Sequence, residues 1–312
     1  MAKALDACGW EFDALGLMYP RVYANAYRSI TADPYLDAAS ISRLAEEHPA
    51  QVLVVCNEPN WPLAAFRAGA CGRPVVLDVA DLQSQRADGY IDPYEAEALS
   101  LADAFIFVTE DQHAWSVEQG LVDAAKPYAL LSNQTLAAEM IDSTPLPHIG
   151  GMVYQGGMNL RGEKGGWRDL SSLADALDGQ LHLYGDKVDY GIWHDFEMEY
   201  RLLIHWLARH DWGFVGSPIP TVAWDKTLPN KIYDYFAAGL PVVVMNAGQC
   251  RPFCDEGMGI WCESVEEAAE VVRSVDPASY RETVRARRGE YTMDAHVAPL
   301  ARILGELAEA SS

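Results

Sequence analysis

The segment Thr227–Val244 (TLPNKIYDYFAAGLPVVV) holds the residues best placed to do chemistry. Pro229 suits the first position of a helix, where a missing N–H costs nothing. The unused N–H groups of such a first turn, together with the helix dipole, favour an anion. Lys231 adds a cation within the same turn, and Asp234 follows three residues later, on the same side of a helix. Phosphate at the amides and ammonium, with ribose hydroxyls at the carboxylate, is the ligand these residue types would hold. Ala237 and Ala238 permit close packing, Gly239 stops the helix, and Leu240-Pro241 leads into a buried strand.

A second set of acids stands in the first half. Glu58 follows the apolar run Gln51–Cys56, and Asp78 and Asp81 flank the end of Pro74–Val79. An acid at a strand end, within reach of a bound hydroxyl, is placed to act as a general base. Glu58 and Asp81 are the candidates for that role. The alternative for each is a solvated loop acid or a helix cap.

Short apolar runs alternate with stretches of helical length and must position these residues. The first-half runs are Phe12–Leu17, Gln51–Cys56, Pro74–Val79, Ala104–Thr109 and Pro127–Leu131. Candidate helices lie between them at Ala38–Glu47, Trp61–Ala70, Pro93–Leu101 and Gln112–Gln119. The second half repeats the pattern with runs at Gly151–Gln155, Gln180–Tyr184, Gly213–Val215, Leu240–Met245 and Gly259–Trp261. Such alternation predicts parallel sheets covered on both faces, hence an α/β protein of two Rossmann-like, doubly wound domains. The expected boundaries are 1–145, 146–292 and a C-terminal helical segment, 293–312, packing back across the domains. Ligands in such folds bind at the carboxyl ends of strands, in a cleft. The run Phe12–Leu17 is preceded by what reads as the end of a helix with a glycine stop at Gly9. The N-terminal domain is therefore expected to lack the strand that usually comes first.

Composition narrows the partners. The 312 residues carry 23 Lys+Arg against 45 Asp+Glu, a formal charge of −22. Residues 1–150 hold 8 basic and 21 acidic side chains, net −13, and the remainder 15 and 24, net −9. Neither half offers the broad positive field that holds a polyphosphate backbone or an anionic membrane. A small anion met by a few local cations is compatible with it. No apolar run reaches the ~18 residues of a membrane span, and Met1–Asp6 lacks the layout of a secretory signal. A soluble, cytoplasmic protein with no stable membrane association is the expectation.

Six cysteines on a chain of this length read as reduced thiols, and Cys250, Cys254 and Cys262 lack the spacing of a zinc site. His194, His205 and His210 are spaced too widely to share a metal and read as packing or surface residues. Arg285, Arg287 and Arg288 form the densest basic patch and read as solvated cations at a helix C-terminus. Most of the nine tryptophans are expected in the core.

The Thr227–Val244 segment resembles the donor-binding signature of GT-B glycosyltransferases, close to the retaining family 4 group. Its matching features are Pro229-x-Lys231, then Asp234-Tyr235, then Ala237-Ala238-Gly239-x-Pro241-Val-Val. Val153–Gly157 followed by Arg161-Gly162 and Lys164-Gly165 resembles the loop that opens the donor domain. Leu181–Gly185, Trp212–Gly216, Gly257–Ile260 and, in the first half, Pro74–Asp78 and Ala102–Thr109 extend the likeness through most of the chain.

That resemblance implies a sugar transferred from a nucleoside-diphosphate sugar, a UDP-sugar by preference, to a hydroxyl acceptor. Arg161, Lys164, Lys231 and the amides of Asn230 and Lys231 would hold the diphosphate, and Asp234 the ribose. The main chain around Phe214, Val215 and Gly216 would face the base. It implies no metal or other cofactor, and retention at the anomeric carbon. Two positions depart from the family pattern. Lys226 stands eight residues before Asp234, where many members carry a glutamate against the sugar, and Asp234 itself is an aspartate for a glutamate. The expected acceptor is a soluble metabolite, protein or polymer, with hydroxymethylated DNA left open and no other role for nucleic acid. Competing readings are a nucleotide-sugar epimerase of the same architecture and a degenerate, non-catalytic GT-B nucleotide-binding protein.

Overall fold

The computed structural model describes residues 1–16, 29–32, 38–56, 67, 69–87, 89–158, 168–194 and 199–311. Two compact units divide the chain: Met1–Asn133 with Met293–Ser312, and Gln134–Thr292.

In the first unit, β1 (Asp13–Gly16) and β2 (Ser29–Ala32) pair in parallel as a two-stranded sheet. β3 (Leu53–Cys56), β4 (Val75–Val79), β5 (Ala104–Phe107) and β6 (Tyr128–Leu130) form a second parallel sheet in that order. Val75, Leu77 and Val79 on one side of β4 and Val76 on the other are all buried. Near-continuous apolar sequence is what a sheet covered on both faces requires. Helix Pro93–Leu101 starts where Asp92 accepts from the Tyr94 N–H at 2.8 Å and Pro93 occupies the first position. Helix Glu110–Glu118 is capped in the same way by Thr109. The opening helix, Ala2–Asp6, is followed by a turn that closes at Gly9, whose φ is +87° and whose N–H reaches Asp6 O at 2.9 Å. The helix Ala298–Ala310 packs against β6, burying Leu300, Ile303, Leu304 and Ala308.

The second unit is a six-stranded parallel sheet. Its strands are β7 (Met152–Gly156), β8 (Leu181–Gly185), β9 (Ile192–His194), β10 (Trp212–Gly216), β11 (Val242–Met245) and β12 (Gly259–Trp261), ordered β12-β11-β10-β7-β8-β9. Val242 and Val244 enter one core with Val153, Ile232 and Phe236, whereas Val243 and Met245 enter the other with Tyr154, Phe214 and Leu173. The period of two thus puts alternate residues of one apolar run on opposite, equally buried faces. Most expected runs are strands to within one or two residues; β2 and β9 were not among them. The segment from Gln134 is tied into this unit by the Ile141 N–H, which donates to Ala237 O at 3.0 Å.

The strand order reverses between β7 and β10, which are adjacent although two strands separate them in sequence. At such a switch point the helices leave in opposite directions and a crevice opens at the strands' carboxyl ends. Gly156 and Gly216 end those two strands.

Candidate functional site

Tyr235 locks the switch point. Its hydroxyl lies 3.2 Å from Val153 O on β7 and 3.2 Å from Phe214 O on β10, and it accepts from the Gln155 N–H at 3.2 Å. The ring also explains Gly213, where an added Cβ would sit 2.5 Å from Tyr235. Helix Lys231–Ala237 is thereby pressed onto both strands, and its first residue is carried to the end of β7.

There the Lys231 ammonium stands over the Tyr154 ring at 3.6 Å from the centroid, with the Trp224 ring at 5.7 Å. Gly156, whose φ of +123° favours glycine, lies against it: a Cβ at that position would be 3.6 Å from Lys231 Nζ, an ordinary contact. The side chain keeps a partial opening to solvent, yet among the described residues it makes no ion pair. Loss of hydration in these dense surroundings, reinforced by the positive charge of Arg168, holds its pKa well below the ordinary lysine value. An ammonium so placed gains stability from an arriving anion.

Asp234, on the next turn, is buried among donors. Tyr200 donates its hydroxyl hydrogen to Oδ1 at 2.5 Å, and Gln155 Nε2 donates to Oδ2 at 2.5 Å. With that hydrogen committed, Thr135 Oγ1, 2.9 Å from the Tyr200 oxygen, is the donor of that contact. Burial raises the Asp234 pKa from 3.8 to about 6, against the lowering influence of Tyr200, Gln155 and Lys231. Thr135 also bears on the carboxylate, whose two oxygens offer about four acceptor sites and so keep room for a further donor.

The helix itself begins later than its sequence suggests. Pro229 lies two residues before the first helical residue, Lys231, and Asn230 occupies the cap with no side-chain bond. Ile232 N–H to Pro229 O at 3.2 Å makes an opening turn of 3₁₀ type. The Asn230 and Lys231 amides thus precede the first internal bonds. With only seven residues in the helix, the side-chain cation rather than the dipole sets the local potential.

Phe214 and Val215 are fully buried, facing opposite cores, so only main chain at the end of β10 is available to a ligand there. Asp81 is half-buried just after β4 and just before the short helix Gln83–Arg86. The amides of that helix are capped instead by Glu95, which accepts from Gln83 N at 2.6 Å and Ser84 N at 3.0 Å. Glu58, Arg161 and Lys164 lie outside the described residues.

One reading of the sequence is corrected. Arg288 is not solvated: it is buried and donates to Ile141 O at 2.7 Å, Ala237 O at 3.1 Å and Asp142 Oδ1 at 2.5 Å. It thereby satisfies a carbonyl at the end of the Lys231 helix, which the sequence pattern alone does not show. His210 and His194 form one cluster with His182, a residue that the spacing argument did not include. His210 Nδ1 donates to Gly150 O at 3.0 Å, so Nε2 accepts from Tyr184 OH at 3.2 Å, and His182 Nδ1 lies 3.0 Å from His194 Nε2.

Tyr200 and Arg168 are the site residues that sequence reasoning missed. Tyr200 reaches Asp234 from a helix 34 positions away, and no local signal marks it. Arg168 follows the expected phosphate loop closely in sequence, but its approach to the glycines ending β7 becomes visible only in space.

Compared by sequence, the chain matches no family model and no curated protein. By structure it is similar to sucrose-phosphate synthase from Thermosynechococcus elongatus, at 14% identity and TM-score 0.67, over 99% of this chain and 91% of that one. It is similar to WaaG, a glycosyltransferase involved in lipopolysaccharide biosynthesis, at 14% identity and TM-score 0.64, over 97% and 93%. Anabaena HepE in complex with UDP is similar at 12% identity and TM-score 0.64, over 95% and 100%. These likenesses show the fold: the chain is built as two Rossmann-like units of the GT-B type.

Proposed function

We propose that the chain is a GT-B glycosyltransferase of the family 4 kind, transferring a sugar from a nucleoside-diphosphate sugar to a hydroxyl acceptor. The observation that carries this reading is Lys231, a partly accessible cation without an ion pair among the described residues, at the switch point of a parallel sheet. Similarity to a fold neighbour described in complex with UDP favours a UDP-sugar.

In this reading the unit Gln134–Thr292 holds the donor, and Met1–Asn133 with the closing helical segment Met293–Ser312 the acceptor. Lys231, with Arg161 and Lys164, neutralises the diphosphate, and the Asn230 and Lys231 amides add hydrogen bonds. Asp234 uses its remaining lone pairs for the ribose hydroxyls, and main chain at Phe214–Gly216 faces the base. As the bond between the anomeric carbon and the phosphate oxygen breaks, charge grows on the leaving diphosphate, where fixed cations stabilise it most. The acceptor oxygen bonds to the same carbon. In a retaining course its proton passes to the departing phosphate; in an inverting one Glu58 or Asp81 takes it. The protein's own cations serve the leaving group, so the scheme needs no metal.

No described helix is long and apolar enough to cross a membrane. We take the enzyme to act in the cytoplasm on a soluble metabolite, protein or polymer, with hydroxymethylated DNA as a further acceptor class to test. Mass spectrometry of products from UDP-, GDP- and ADP-sugars against small-molecule, peptide and hydroxymethylated-DNA acceptors tests it. A product heavier by one sugar residue supports the reading. A changed sugar in the donor-only arm indicates an epimerase, and binding without turnover across the panel a non-catalytic nucleotide-binding protein.

A further inference from the structure

We propose that Tyr200 is a positioning residue of the ligand site: its hydroxyl, backed by Thr135, holds the Asp234 carboxylate as an acceptor for ligand hydroxyls. The inference rests on the donor-site reading above and adds two residues outside the Thr227–Val244 signature.

Packing sets where Tyr200 points. Helix Tyr200–Leu207 buries Leu203, Ile204 and Leu207 in the same core as Ile232, Phe236 and Ala237 of the helix that carries Asp234. Tyr200 precedes Leu203 by three positions and Ile204 by four, so it shares their face. Its hydroxyl thereby meets Asp234 Oδ1 at 2.5 Å. Thr135, also buried, arrives from the segment that opens the second unit. Its Oγ1 lies 2.9 Å from the Tyr200 oxygen and also bears on the carboxylate. Further along that segment the Ile141 N–H donates to Ala237 O at 3.0 Å, so the segment is pinned at two points along the Lys231–Ala237 helix.

Donors from three parts of the chain, Tyr200, Thr135 and Gln155, thus converge on one buried acid. The titratable groups that face it besides Tyr200 are Lys231 on the preceding turn and Tyr235 beside it, whose phenol burial keeps neutral. Burial alone favours the neutral acid, whereas hydrogen bonds to the charged form favour the carboxylate. Burial dominates, Tyr200 is the largest influence against it, and the acid rests at about 6. A carboxylate accepts from ligand hydroxyls, but a protonated carboxyl spends one oxygen as a donor. Without the Tyr200 hydroxyl the carboxyl stays protonated to higher pH, and the ligand loses its acceptor. Tyr200 therefore acts through Asp234 and need not touch the ligand.

Calorimetric titration of the full chain with UDP and with 2′,3′-dideoxy-UDP, from pH 5 to 8.5, tests the assignment. If the wild type prefers GDP or ADP, the corresponding pair is used. The two ligands share base and diphosphate, so the ratio of their affinities isolates the hydroxyls and cancels the ionisation of phosphate and Lys231. In the wild type the ratio should favour UDP and fade as the pH falls through about 6. In Tyr200→Phe that fade is expected about one pH unit or more higher, so the ratio is severalfold smaller at pH 7 and mostly restored at pH 8.5. Thr135→Val should move the midpoint the same way by less, Thr135→Ser should lie nearer wild type, and Asp234→Asn should flatten the profile. Unchanged thermal midpoints establish that the variants are folded, and Thr135→Val provides an independent arm if Tyr200→Phe is not. A ratio in Tyr200→Phe that matches wild type at every pH, or is reduced equally at every pH, overturns the proposal while leaving the donor-site reading intact. A wild-type ratio that does not change with pH does the same. Absence of UDP, GDP and ADP binding by the wild type overturns both.

Discussion

Lys231 Nζ stands 3.6 Å from the centre of the Tyr154 ring, and the Tyr154 hydroxyl in turn donates to Gly157 O at 3.2 Å. The ring face is a weak anion surrogate that holds the ammonium in place without neutralising it. A cation–π contact of this kind contributes about 0.5–2 kcal/mol. Tyr154→Leu is therefore expected to weaken UDP binding several-fold to about thirtyfold, whereas Tyr154→Phe, which keeps the ring, stays within about threefold. Equal losses in the two variants, measured by titration, would place the effect in the hydroxyl rather than the ring.

Asp234 gives a stability signature with a defined sign. Its carboxyl ionises at 3.8 in the unfolded chain and at about 6 in the folded one. The folded state thus keeps its full advantage below pH 4 and loses it as the pH rises through 6, up to about 3 kcal/mol in all. In Asp234→Asn that loss is absent, so urea midpoints of wild type and variant should converge or cross between pH 4 and 7. Parallel profiles would contradict the buried, protonatable carboxyl.

The histidine cluster acts in the opposite direction. Burial first, then the neighbouring histidines and Arg209, lowers His182 to about 4 and His210 to about 3, and burial with Arg209 lowers His194 as well, against 6.5 in an unfolded chain. Their contribution is complete above pH 6.5 and is lost as the pH falls towards 4 and 3, on the order of a few kcal/mol. His210→Asn, retaining a donor for Gly150 O, should be less stable than wild type at pH 7 and show a shallower acid slope. A steeper slope in chemical denaturation would refute the assignment.

Gly216 closes β10 at φ +111°, and a Cβ there would fall 1.8 Å from Met245 O. Backbone cannot yield as a flexible side chain can, so Gly216→Ala is expected to cost more than about 4 kcal/mol and to abolish soluble expression. Gly257 also has a positive φ, +78°, but its Cβ would meet nothing closer than 3.8 Å. Gly257→Ala should cost only about 1 kcal/mol, read from thermal unfolding. Similar midpoints for the two would indicate that β10 and β11 are not paired in this register.

How much of this was legible beforehand varies with the range of the interaction. Lys231 and Asp234 stood out because a cation, an acid and a Gly-Leu-Pro stop fall within one local run. Most strands were legible because both faces are buried and the apolar runs are continuous. β9 was missed because three residues, Ile192–His194, with an exposed isoleucine, carry no such run. Tyr200 was invisible for a different reason: its partner is fixed by helix packing, not by spacing. Arg288 was read as solvated because charge patterning describes the helix that carries it and not the carbonyls of the helix it touches. The end of β7 at Gly156, with Gly157 after it, is legible as a loop entrance, but which cations reach it depends on where helix Lys231–Ala237 is pressed by Tyr235.

The central claim is that Lys231 anchors the diphosphate of a sugar nucleotide, and release of nucleoside diphosphate from UDP-, GDP- and ADP-sugars measures it most directly. Wild type should release one of the three diphosphates, and folded Lys231→Met should do so about a hundredfold more slowly, the loss of a charge-assisted contact that strengthens in the transition state. Release at the same rate by Lys231→Met, or no release by wild type from any donor with the full acceptor panel present, would contradict the account.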